Sequence, residues 1–253
     1  MTSDPKKFIQ EIKIKHPDLL VETLSTESAT ENVSNTQPEG YINNKSLVSF
    51  ASTVSSGNRQ DVLNSTLIAQ LYADHKFTNQ EDIVKWYEAY VELLSNVGWS
   101  VETAEFSNLN AKGSVFEMQS AILDIIGTAI SGSLLGVVMK TLEALKSLSD
   151  SDSKLIVFEK NTHSLNKGSF QIALADENNG AVSMTLGVFH LSTSTKIDKI
   201  IFFKSGKDKT EVNCRTTTCT LNSEIYSLVR NEILNKLGKN AEKYISKLPD
   251  FSL

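Results

Sequence analysis

Ile125-Ile126-Gly127-Thr128-Ala129-Ile130-Ser131-Gly132-Ser133-Leu134-Leu135-Gly136-Val137-Val138-Met139 is the stretch on which the reading of this chain turns. No charge interrupts it between Asp124 and Lys140, and it carries three glycines. A helix that is apolar all round must be buried, either in a protein core or in lipid. Ser131-Gly132-Ser133 is the natural break, so the segment is expected to fold as two helices. Ser114 and Glu117 form a capping box ahead of the first. Apolar positions continue through Leu142 and Leu145 in the second. The run falls short of the roughly 20 residues that a spanning helix needs. The glycines read as sites of close helix packing, since no strand precedes them and no G-x-G-x-x-G or P-loop pattern occurs.

Upstream lie two more helical patterns. Asn58 or Asp61 caps a face made by Val62, Leu63, Leu67, Ile68, Leu71 and Tyr72. Thr78 and Glu81 form a capping box before Ile83, Val84, Trp86, Tyr87, Tyr90, Val91 and Leu94. Gly98 stands at the C′ position, and a short strand is expected from Trp99 to Phe106. Residues 1–45 read as a mobile arm: Phe8, Ile12, Leu19, Leu20 and Val21 are interrupted by Pro17, and a Ser/Thr/Asn/Glu-rich stretch follows.

Downstream the pattern becomes β-like. Lys154 to Glu159 is rich in β-branched residues, and Phe170, Ile172 and Leu174 alternate with polar or small ones. Asn179-Gly180 suits a type I′ turn. Val182, Met184, Leu186 and Val188 continue the alternation, and Ile197 to Phe203 and Glu211 to Thr218 read as further strands. Asn222 caps a C-terminal helix carrying Ile225, Leu228, Val229, Leu234, Leu237, Tyr244, Ile245 and Leu248. Gly238 bends it and Pro249 ends it. The expected fold class is α+β: helices packed on an antiparallel meander of four to five strands, closed by a C-terminal helix. One compact domain over 46–253 is expected, its helical part 46–150 and its sheet and last helix 151–250.

The chain has 253 residues, 40% hydrophobic and 22% charged, with a net charge of −5. These are ordinary globular values, and without a basic face they argue against nucleic-acid binding. The polar start, Met1 to Lys7, is not followed by an apolar h-region, so synthesis in the cytosol without a signal peptide is expected. No H-E-x-x-H, C-x-x-C or G-x-S-x-G occurs, and no metal site is expected. Cys214 and Cys219 are too few for a disulfide framework. Each reads first as a small buried residue. A thiol enzyme would have to pair one of them with His163 or His190.

Certain stretches resemble a known family. They are Asn58-Arg59-Gln60-Asp61-Val62-Leu63-Asn64-Ser65-Thr66-Leu67-Ile68-Ala69-Gln70-Leu71, Trp86-Tyr87, Val97-Gly98-Trp99, and His163-Ser164 with Lys167-Gly168-Ser169-Phe170-Gln171-Ile172. Together, over residues 45 to 248, they are similar to the Erwinia virulence factor-like family of small, mostly uncharacterised bacterial and fungal proteins. The resemblance implies a virulence- or toxin-type protein without catalytic activity that associates with membranes. It implies a fatty acyl chain, thioester-linked to one cysteine and held in an apolar cavity. Cys214 and Cys219 are the two positions that could carry it, and no motif chooses between them. Ile126, Ile130, Leu134, Leu135 and Val138 are the expected cavity-lining or membrane-contacting residues. No other cofactor is implied, and the oligomeric state is left open. Two other readings stand beside this one: a soluble ligand-binding or interaction module without lipid, and the Cys–His thiol enzyme.

Overall fold

The alternation at Phe170, Ile172 and Leu174 has a simple origin: these side chains enter one core while Ala173 and Ala175 enter another on the opposite side of the sheet. The computed structural model describes residues 4–16, 37–78, 82–102, 105–111, 115–206 and 209–249. Three long strands form the centre of the sheet: β7 (Lys167–Asn178), β8 (Ala181–Thr193) and β10 (Thr210–Leu221). They pair antiparallel along their full lengths. Asn179 and Gly180 join β7 to β8 with φ of 50° and 78°, the left-handed pair that a type I′ turn requires.

The sheet is wider than a four- to five-strand meander. β1 (Glu39–Asn43) and β2 (Ser46–Phe50) form a hairpin whose second strand runs parallel to β7. β3 (Trp99–Val101) and β4 (Ser107–Ala111) share the outer side of β10. β6 (His163–Ser164) pairs with the start of β7, and β11 (Ile245–Lys247) pairs with β1. A separate pair links β5 (Phe116–Glu117) to β9 (Lys204–Ser205).

Helices cover both faces. The first core lies under α1 (Pro5–Glu11), α2 (Ser56–Lys76), α3 (Ile83–Asn96) and α7 (Ser223–Leu237). The second lies under α4 (Met118–Gly127), α5 (Gly132–Ser147) and α6 (Ser153–Thr162). A short α8 (Asn240–Tyr244) precedes β11. The break at Ser131-Gly132-Ser133 falls where the sequence places it, with Ser131 as the N-cap residue of α5. Asn222 caps α7 by accepting from the backbone N–H of Glu224 and Ile225 at 3.1 Å.

Other expectations are corrected. Residues 154–159 are helical, because the Asp152 carboxylate accepts from the Lys154 N–H at 2.8 Å and starts α6. Ile197 to Phe203 form no strand; Ile197, Ile200, Ile201 and Phe203 plug the second core from an irregular segment. α2 starts at Ser56 rather than after Asn58 or Asp61. α7 stops at Leu237, where Gly238 takes φ 51°, and after the short α8 the chain returns to the sheet as β11. Apart from these corrections, residue 45 lies in the turn of the β1–β2 hairpin, and Ile9 of α1 is fully buried. Leu19 to Val21, residues 24–36, Glu81 and Ser114 lie outside the described residues.

Candidate functional site

The uncharged run folds as the α4–α5 helical hairpin. Its inner side is core: Ile122, Ile126, Val137 and Val138 are at most 3% exposed. Ile125, Ile130, Leu134 and Leu135 are half-buried against the same core, and Met139 is exposed. The tip, Thr128 to Ser133, carries no charge. Gly127 allows a close approach of the two helices, since a Cβ there would sit 3.3 Å from Leu135 Cδ2. The hairpin rests on the sheet at Gly187 of β8, where a Cβ would lie 2.5 Å from Ile126 Cδ1. Gly187 is a packing position that the sequence reading missed. Its signal was a glycine inside an alternating strand, which often marks a close approach.

The two cysteines lie on one strand but face opposite cores. Cys214 enters the core beneath the hairpin, and Cys219 enters the core beneath α2 and α3. The odd spacing of five residues dictates this, because side chains alternate along a strand. Both thiols are free and buried. Cys214 Sγ lies 3.4 Å from the Ser107 hydroxyl. Burial pushes the Cys219 thiol up to about 12, the nearby Glu102 charge adds to this, and Arg215 opposes it. Neither sulfur lines the cleft beside Trp86, the trough at Ser192–Glu211 or the trough at Thr195–Gly206; nor do Ile126, Ile130, Leu134, Leu135 and Val138.

The histidines do not join them. His190 faces Asn213 across β10 and lies on the Cys219 side, six residues from Cys219 along the strand, or about 20 Å. Cys214 is next to Asn213 but points the other way. His190 Nδ1 instead lies 2.8 Å from the Ser169 hydroxyl. His163 sits beside Glu159 at 3.2 Å on β6, three strands away from Cys214 and two residues out of register with it, or about 16 Å. None of the four possible Cys–His pairs is brought together.

Several solved structures are similar to this chain, among them the following three. A delta-endotoxin matches with 14% identity and a TM-score of 0.44, covering 85% of this chain and 95% of its own. The activated Cyt2Ba monomer from Bacillus thuringiensis subsp. israelensis matches with 13% identity and a TM-score of 0.33, covering 53% and 79%. The Evf virulence factor matches with 13% identity and a TM-score of 0.37, covering 92% and 91%. No protein-family model and no curated protein matches the chain. No described helix is long and apolar enough to cross a membrane, and the described residues contain no cluster suited to a metal ion.

Proposed function

We propose that this chain is a non-enzymatic protein of virulence or toxin type that associates with lipid through the α4–α5 hairpin. The observation that carries the reading is the hairpin's composition and position. Between Asp124 and Lys140 it carries no charge, and there it presents half-buried Ile125, Ile130, Leu134 and Leu135 and an exposed Met139. A glycine-floored contact at Gly187 seats it on the sheet. Such an element exchanges a protein surface for a lipid surface without desolvating a charge. The virulence- or toxin-type part of the reading rests on the sequence resemblance. An acyl group is not required by it. Were one attached, Cys214 is the cysteine on the hairpin's side of the sheet.

The test is flotation of the full chain with phosphatidylcholine–phosphatidylglycerol vesicles. The wild type is expected to float, and Leu134→Lys/Leu135→Lys to remain at the bottom, since neither side chain is fully buried. A wild type that never floats, or a double variant that floats equally well, rejects the reading. Intact-mass measurement before and after hydroxylamine reads any thioester directly.

A further inference from the structure

Residues 195–206 have no regular structure apart from β9, yet they plug the second core. Ile197, Ile200 and Ile201 are at most 1% exposed, and Phe203 is 6% exposed. An irregular segment has no ladder of its own, so its backbone groups must find partners elsewhere. On one side they reach α6 and the β6–β7 turn. The Ile197 N–H donates to the Leu165 carbonyl at 2.7 Å, and the Ile200 N–H donates to Glu159 Oε2 at 3.1 Å. A Cβ at Gly168 would collide with Ile200 Cδ1, so the isoleucine occupies a notch that only glycine leaves open.

On the other side the segment reaches the hairpin. The Phe203 carbonyl accepts from the N–H of Met118, the first residue of α4, at 2.9 Å. β9 pairs with β5, with Phe116 opposite Ser205, and Lys204 meets Glu117 at 2.7 Å. Lys146 of α5 lies over the Phe202 ring. α5 also has an anchor of its own, since the Ser49 hydroxyl donates to Thr141 at 2.8 Å. α4 is therefore the helix that depends on this segment. The two sets of ties are close together. Ile200 and Phe203 belong to one tight turn, in which the Phe203 N–H donates to the Ile200 carbonyl at 3.4 Å. A shift at Ile200 thus passes to Phe203 with little slack. Glu159 is a poised anchor: its side chain is 13% exposed, His163 Nδ1 lies 3.2 Å from the same Oε2, and Oε1 has no hydrogen-bond partner. A carboxylate mostly out of water and half satisfied holds its place only through the bonds it does make.

We propose that residues 195–206 are a strap that holds the root of α4 on the sheet, with Glu159 as its latch, so that loosening this carboxylate releases α4. The inference rests on the hairpin being the lipid-associating element, and it names what regulates that element. The hairpin's own seat at Gly187 is an apolar contact, whereas the strap fixes the end of α4 by a backbone hydrogen bond and a strand pair.

The experiment is amide hydrogen exchange on the full chain without lipid. Glu159→Gln keeps the shape of the latch and removes its charge, which weakens a charge-assisted bond to a neutral one. Exchange should accelerate by about three- to tenfold across 118–127 and 195–206 and stay unchanged across α2. No acceleration, or equal acceleration in α2, overturns the latch. A second variant works in the opposite direction. Phe116→Cys/Ser205→Cys places two thiols directly opposite each other on β5 and β9, with Cα atoms about 4.5–5.5 Å apart, which a disulfide spans. The native cysteines are buried and do not compete. Once oxidised, this chain should exchange more slowly than wild type across 118–127 and stay at the bottom of the vesicle flotation, with dithiothreitol reversing both. An oxidised chain that floats like wild type overturns the strap. Exchange that follows these expectations while no form of the chain floats supports the strap and rejects the lipid reading instead.

Discussion

Arg59 has no exposed surface, and its neighbours explain why the chain tolerates a buried cation there. Its Nη1 lies 2.6 Å from Glu39 Oε2, and its Nε and Nη2 donate to the carbonyls of Val54 and Ala51 at 2.9 and 3.2 Å. Glu39 also accepts from Tyr41 at 2.8 Å and pairs with Lys247 at 3.1 Å. Removing one member of a buried ion pair leaves the other uncompensated, at a cost of about 3–5 kcal/mol. Glu39→Ala should therefore lower the urea-unfolding free energy by about that amount; a loss under ~1 kcal/mol would mean that Arg59 is held by its carbonyl bonds instead. The same scale sets an alkaline limit. Burial pushes the Tyr87 phenol and the Cys219 thiol up, each to about 12, from 10.0 and 9.0. Folding thus favours their protonated forms. That stabilisation is complete below pH 9 and is lost as pH rises towards 12. The urea midpoint should fall across this window, and Tyr87→Phe should flatten its upper part. The burial of Cys219 was legible in the sequence, and the Arg59–Glu39 pair was not: the two residues are 20 apart with nothing to mark them as partners.

Periodic elements were readable, and short apolar runs were not. Val182, Met184, Leu186 and Val188 alternate because they enter the first core while the small or polar Ser183, Thr185 and Gly187 between them face the other side, so a period of two appears directly in the sequence. Lys154 to Glu159 and Ile197 to Phe203 are too short for periodicity to separate strand from helix or plug. The first was decided by a capping carboxylate at Asp152, the second by the space left over the second core. The α4–α5 hairpin was legible as two helices, but its seat was not, since that depends on Gly187 in a strand about 60 residues further on. Gly187→Ala should press a methyl against Ile126 and cost about 1–3 kcal/mol, the usual range for overpacking. The loss should be local: hydrogen exchange should accelerate across 118–147 and stay unchanged across α2. Equal acceleration in both would show that the hairpin does not open as a unit.

At the scale of the molecule, the sheet is closed at one side by the last described strand. β11 pairs with β1, with Tyr41 opposite Lys247 and Asn43 opposite Ile245, although about 200 residues separate them. The Asn44 N–H donates to the Tyr244 carbonyl at 3.0 Å, and the Leu248 N–H to the Gly40 carbonyl at 2.8 Å. Lys247 brings its charge to Glu39, so the same strand completes the network around Arg59. β11 therefore covers an edge and neutralises a buried carboxylate together. An uncovered edge offers unpaired N–H and C=O groups to another chain, and β1 is buried along its whole length, so it has no exposed charges to discourage such pairing. Deleting residues 245–253 should reduce stability and also produce concentration-dependent association, read by light scattering. Lys247→Met keeps the strand but removes the charge, so it should lose stability while remaining monodisperse. If the truncated chain stays monodisperse and the point variant does not, the edge is protected by charge and not by the strand. The β1–β11 pairing would then be an accessory to the fold instead of its boundary.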